Sequence, residues 1–149
     1  MAGPQISQEL ADSLIGMPKF RTSEDSILYP MTTRRLTVPL QSEDGRESFL
    51  LDLHQGRLHL QKATLQNRAR QVVILVRLDI GGPPHRNPDW VIILCPHLHL
   101  YREGYGDKWA SPAPLDKFKD TSDPWQTLHH FMNYCQIVEP PRFQRSLLP

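Results

Sequence analysis

The residues best suited to chemistry gather between Arg77 and Trp109. They run Arg77-Leu-Asp79, then Pro84-His85-Arg-Asn87-Pro-Asp89, then Pro96-His97-Leu-His99-Leu-Tyr101, and close with Glu103, Tyr105, Asp107, Lys108 and Trp109. Histidine changes protonation near neutral pH, so a pair of imidazoles can act as general base and general acid. His97 and His99 form such a pair, with His85 close in sequence. Arg77 and Lys108 carry the positive charge that a developing oxyanion needs. Tyr101 and Tyr105 offer rings on which a base stacks, or hydroxyls that orient a phosphate. Asp79 and Arg70 join them as candidate substrate contacts.

This set matches metal-independent cleavage of RNA. One group removes the 2′-hydroxyl proton, another protonates the leaving oxygen, and a cation holds the phosphorane. The internal 2′-hydroxyl nucleophile restricts the reading to RNA. No cofactor is implied. A metal site is the lesser alternative: His97 and His99 with His85 or Asp79 supply three ligands and leave one position open. His-x-His is a common spacing, and no carboxylate or cysteine cluster accompanies it. The bland alternative is that His97 and His99 bond loops at a sheet edge.

These side chains must be positioned by strands. Alternation with period two puts His97, His99 and Tyr101 on one face if 97–101 is extended, with neighbours about 6–7 Å apart. Arg77 and Asp79 share a face of the preceding strand by the same rule. Two strands joined by a ten-residue loop tend to be neighbours, so the two polar faces coincide if the register allows it. His85, in the connecting loop, can fold back over that face. From Arg57 to Arg77 the chain carries Arg57, Lys62, Arg68, Arg70 and Arg77 and no acidic residue. On one sheet face such a run would bind phosphates; otherwise it is ordinary solvated charge.

The surrounding pattern predicts the elements. Ser7–Ile15 reads as a helix stopped by Gly16 and Pro18. Residues 17–34 read as irregular. Strands are expected at Arg35–Leu40, Glu47–Leu53, Arg57–Leu65, Gln71–Ile80 and Val91–Tyr101, the last interrupted at Pro96. A second helix is expected over Pro124–Ile137, with Asp123 as N-cap, Pro124 in the first turn and Gln126 completing a capping box. Trp125, Leu128, Phe131, Met132 and Cys135 form its apolar stripe. The expected fold is α+β: one domain over 1–149, an antiparallel sheet of about five strands flanked by an N-terminal and a C-terminal helix.

Composition narrows the class. The 149 residues suit one domain, and 39% hydrophobic with 22% charged residues is ordinary for a globular chain. A net charge of +1 exerts no global pull toward nucleic acid or membrane, so any basic patch is local. The two cysteines, Cys95 and Cys135, are too few for a disulfide scaffold and read as buried free thiols. No signal peptide or membrane-length apolar run is present, which makes the cytoplasm the expected location.

The run from Arg77 through Asp89, with Pro96-His97-Leu-His99-Leu-Tyr101-Arg-Glu-Gly-Tyr105-Gly-Asp-Lys-Trp109-Ala, resembles a family of uncharacterised proteins from bacterial and prophage genomes. The resemblance extends to the Trp125-Gln-Thr-Leu helix. More loosely, Arg77, Asp79, His85 and the His97/His99 pair resemble TumE-type toxins of toxin–antitoxin systems. This second resemblance implies a growth-inhibiting, RNA-directed toxin with a cognate antitoxin. Where that pattern has a polar, glycine-containing turn after Asn-Pro-Asp, this chain has Trp90-Val-Ile-Ile.

Two functions of different class follow. One is a toxin-like endoribonuclease, with His97 or His99 as base and acid and with Arg77 and Lys108 on the phosphate. The other is a non-catalytic phage or prophage binding protein, such as an inhibitor of a host defence protein.

Overall fold

Alternating burial along consecutive strands builds a sheet with one apolar and one polar side. The computed structural model describes residues 5–29, 34–56 and 62–145. The chain opens with α1 (Gln8–Gly16), whose N-cap Ser7 hydroxyl accepts from the Leu10 amide. Two short strands follow, β1 (Lys19–Arg21) and β2 (Ser26–Tyr29), then β3 (Arg35–Gln41), β4 (Ser48–Gln55), β5 (Ala63–Ala69) and β6 (Val73–Ile80). A small hairpin of β7 (His85–Arg86) and β8 (Ile92–Ile93) precedes β9 (His97–Leu100) and β10 (Ala110–Pro112). The chain continues through α2 (Pro124–Tyr134) to β11 (Ile137–Glu139) and β12 (Arg142–Arg145).

Among the described residues, the main sheet has eight strands in the order β10-β9-β6-β5-β4-β3-β1-β11. It is antiparallel except for the β1–β11 pair, which is parallel. The α+β class with two helices therefore holds, but the sheet is larger than five strands. The additional strands, β1, β10 and β11, are three residues long, too short to carry a period of their own. Residues 17–34, read as irregular, contain β1 and β2. The expected Val91–Tyr101 strand divides into β8 and β9 around a cis Cys95–Pro96 bond, since proline has no amide to donate to a ladder. The second helix stops at Tyr134, where Gln136 takes a positive φ of 59°, and Ile137 enters β11 instead. Of the expected Arg57–Leu65 strand, 57–61 lie outside the described residues; β5 begins at Ala63.

One side of the sheet carries the row Leu36-Leu53-Leu65-Leu78-Leu98 from β3, β4, β5, β6 and β9. Four of these five leucines join Leu14 of α1 and Leu128, Phe131 and Met132 of α2 in the buried core, and Leu36 packs against it. Each fully buried side chain of this size contributes about 1.5–3 kcal/mol. Asp123 caps α2 by accepting from the Gln126 amide, and Pro124 occupies its first turn.

Lys19 sits fully buried in this core. Its ammonium donates to the carbonyls of Ile15 (3.0 Å), Met17 (3.0 Å) and Cys135 (2.8 Å), so one cation closes the C-terminal ends of both helices. Burial lowers its pKa to about 8. Burial likewise pushes the neighbouring Cys135 thiol up to about 12. Among the described residues, no helix is long and apolar enough to cross a membrane.

Candidate functional site

The opposite side of the sheet is polar, and β6 and β9 place its most reactive side chains. Arg77 lies directly across from His99, and Asp79 across from His97. The row containing Asp79 and His97 continues through Thr64 to His54 and Arg35; the row containing Arg77 and His99 continues through Gln66 to Asp52 and Thr37. Opposed residues on one face lie close enough to interact directly.

Asp79 is the hub. Its Oδ2 accepts from Arg77 Nη2 (2.8 Å) and Nε (3.1 Å), and lies 3.1 Å from both His97 Nε2 and His99 Nε2. Its Oδ1 accepts from the Thr64 hydroxyl at 2.8 Å. Burial pushes its carboxyl up, but the bonds from His99 and Arg77, the Arg77 charge and the Thr64 hydroxyl outweigh it and hold the group well below the usual carboxylate range. Arg77 is occupied on both sides, because its Nη1 donates to Asp107 Oδ2 at 3.0 Å. His99 Nδ1 lies 2.7 Å from the Asp107 carbonyl. A carbonyl only accepts, so Nδ1 carries hydrogen; Nε2 then meets Asp79 as an N–H in the charged ring and as a lone pair in the neutral one. His97 Nδ1 lies 3.5 Å from Cys95 Sγ. Burial, followed by the neighbouring His99 and His85, lowers the His97 pKa against the pull of Asp79.

His85 folds back over this pair as its loop position allows. Its ring centroid is 4.6 Å from that of His99 and 5.7 Å from that of His97, which are themselves 5.0 Å apart. The His85 Nε2 donates to the Lys108 carbonyl at 2.7 Å, leaving Nδ1 as its basic nitrogen. Asn87 fixes the loop. Its amide donates to the Ala110 carbonyl (2.9 Å) and its oxygen accepts from the Ala110 amide (2.8 Å), extending the edge of β10 with a side chain.

The histidines, Arg77 and Asp79 thus converge as the alternation predicts, but His97 and His99 are only 2% and 1% exposed. They lie beneath the 83–93 hairpin and the turn that carries Asp107. His85, half-buried, is the imidazole that reaches solvent. It lines a cleft of about 230 Å³ with Lys62, Thr64, Arg77, Asp79 and His97. Thr64 is shared with a second groove of about 390 Å³ along Arg35, Thr37, Asp52, His54, Gln66 and Arg68.

Other expected contacts fall elsewhere. Tyr101 is buried at 3%; its hydroxyl donates to the Ile6 carbonyl (2.8 Å) and accepts from the Ile6 amide (2.9 Å). It anchors the segment before α1 and is not a substrate contact, because β9 ends at Leu100 and the alternation ends with it. Arg70 is also corrected. It lies on the β5–β6 turn, about 20 Å along β5 from Thr64, and pairs with Glu47 at 2.9 Å. Lys108 is exposed, and only its backbone carbonyl touches the cluster. Tyr105 is exposed and packs edge-on against Trp109.

The basic run is largely neutralised: Arg68 pairs with Asp52 at 2.6 Å, Arg70 with Glu47 and Arg77 with Asp79. Arg57 lies outside the described residues, which leaves Lys62 at the cleft. Sequence reasoning missed Thr64, Cys95 and the double role of Asp107. Asp107 stood in the polar block, but its position opposite Arg77 depends on a turn with no periodic signal.

Residues 6–137 match the model of a family of unknown function, DUF6978. The chain belongs to that family. No curated protein and no solved structure matches this DUF6978 chain. The family description assigns no activity, so the chemistry rests on the site itself.

Proposed function

We propose that this protein is a toxin-like, RNA-directed endonuclease whose working group is His85. The observation that carries the reading is the convergence of three imidazoles around the Arg77–Asp79 pair, with His85, His97, Arg77 and Asp79 lining a cleft on the polar sheet face. RNA lies along the groove from Arg35 to Gln66, with one phosphate in the cleft near Lys62. His85 Nδ1 takes the 2′-hydroxyl proton, the 2′-oxygen bonds to phosphorus, and the bond to the 5′-oxygen breaks. The leaving oxygen takes a proton from solvent, and the products are a 2′,3′-cyclic phosphate and a 5′-hydroxyl end. His97 and His99 support this arrangement from below and do not touch the substrate.

The test is incubation of purified protein with single-stranded RNA and with DNA of the same sequence. RNA is cut to cyclic-phosphate ends and DNA is untouched. His85→Ala lowers the rate at least about 100-fold, the range for loss of a positioned acid–base group. Intact RNA at stoichiometric protein overturns the reading.

A second reading is favoured by a separate observation. Trp90, Val91, Ile92 and Leu94 are 72%, 51%, 54% and 68% exposed at and beyond the β7–β8 turn. Exposed apolar clusters of this kind mark interaction sites. This supports a protein partner, either a cognate antitoxin or a host defence protein. A complex recovered from host lysate and lost on Trp90→Ala supports it; capture unaffected by that substitution counts against it.

A further inference from the structure

We propose that Asp79, His97 and His99 bind one divalent first-row transition-metal ion, with an open coordination position turned toward His85 and the cleft. The three ligand atoms lie within 4.8 Å of one another. Both Nε2–Oδ2 separations are 3.1 Å. Neighbouring ligand atoms around an ion with bonds of about 2.0–2.2 Å stand about 3.0–3.5 Å apart, so two of the three edges have the right length.

The hydrogen-bond chemistry points the same way. Arg77 Nη2 donates to Asp79 Oδ2 at 2.8 Å, while Arg77 Nε is shared between Oδ1 (3.2 Å) and Oδ2 (3.1 Å). A carboxylate oxygen offers about two lone pairs, so with Nε on Oδ1 one Oδ2 lone pair is open beside the two imidazole nitrogens. His99 adds a mismatch. With Nδ1–H committed to the Asp107 carbonyl, the neutral ring turns its Nε2 lone pair toward those of Asp79. A cation between them turns that repulsion into two bonds.

The outer contacts fit a metal centre as well. A metal-bound histidine usually donates its other N–H to a carbonyl or carboxylate, and a bound carboxylate is itself hydrogen-bonded. His99 meets the first condition through Asp107, and Asp79 meets the second through Thr64 and Arg77. Asp79 and Asp107 outnumber Arg77 by one, so with neutral imidazoles the cluster is net negative and attracts a cation. Two nitrogens and one oxygen suit zinc or iron(II) better than calcium or magnesium.

This goes beyond the nuclease reading, which assigns His97 and His99 only support. The test uses full-length protein stripped with a chelator and titrated with Zn²⁺. Calorimetry shows one tight equivalent. With ¹⁵N-labelled histidine, Zn²⁺ moves the Nε2 resonances of two of the seven histidines, and one of these rings keeps its Nδ1 proton. This measurement needs no variant and so survives a loss of folding in His97→Ala or His99→Ala. In folded His99→Ala, affinity falls at least about 100-fold. His54→Ala on the same sheet face leaves it unchanged, and so does His85→Ala, which removes RNA cleavage. Absence of stoichiometric binding, or shifts spread over the other histidines, overturns the metal site. Zn²⁺ binding without RNA cleavage overturns the nuclease alone. RNA cleavage by protein that binds no Zn²⁺ overturns the metal site alone.

Discussion

Asp79 and His99 meet across β6 and β9 at 3.1 Å, while the far nitrogen of the same imidazole is held by the Asp107 carbonyl at 2.7 Å. One ring therefore joins the sheet to the 102–109 turn. Any change in what sits between its Nε2 and the carboxylate is transmitted to that turn.

Asp79→Asn tests how much of the cluster depends on the charge. It leaves Arg77 with Asp107 as its carboxylate partner and removes the carboxylate charge that both histidines face. Breaking one partner of a buried pair costs about 3–5 kcal/mol. The Asp79 side chain is 13% exposed, so a loss near the lower end of that range is expected in urea unfolding of the metal-free protein.

Asn87→Ala separates the loop from the sheet. It removes two hydrogen bonds to Ala110 and leaves the amide and carbonyl of that residue without them. Stability falls by about 2 kcal/mol. Hydrogen exchange at the Ala110 amide accelerates. RNA cleavage drops in parallel, because His85 loses its position over His97 and His99.

Tyr101→Phe distinguishes an anchor from a substrate contact. The variant loses both bonds to Ile6 and about 1–2 kcal/mol of stability. RNA cleavage stays within about twofold of the wild type below the melting transition. A large loss of rate in a folded Tyr101→Phe would restore the ring to the substrate site.

Lys19 gives the chain a pH signature on the alkaline side. In the folded protein its ammonium loses the proton near pH 8, whereas in the unfolded chain it holds the proton until about pH 10.4. Between these values the unfolded state binds more protons, so the Lys19 contribution to stability rises with pH. It is fully present above the unfolded pKa and is lost as pH falls through about 8. The difference in unfolding free energy between wild type and Lys19→Met, followed from pH 7 to 10, should grow in favour of the wild type. A flat difference would show that the three carbonyls hold the charged form as well as water does.

Much of the polar face was legible because alternation is local. The step from Arg77 to Asp79 and the step from His97 to His99 each fix a face without knowledge of the register. The register itself, which sets Asp79 opposite His97, followed only from folding. Tyr101 was misplaced because the period holds only while the strand continues. Arg70 was misplaced because counting basic residues ignores partners such as Glu47, distant in sequence. The burial of His97 and His99 depends on two irregular segments, one of them pinned through Asn87. Strands of three or four residues, such as β11 and β12, owe their existence to partners more than a hundred residues away and leave no local trace.

Those last strands have a consequence for synthesis. β11 lies beside β1 and β12 beside β2, so the first and last parts of the described chain complete one another. A ribosome emits the segment around Lys19 long before Ile137 and Phe143 emerge. Until then one edge of the nascent sheet stays unpaired, and Lys19 lacks its third carbonyl, from Cys135. The finished architecture can form only after β11 and β12 have left the ribosome. A premature stop after α2 would release a chain that keeps every residue of the histidine cluster but leaves β1 without β11 and β2 without β12.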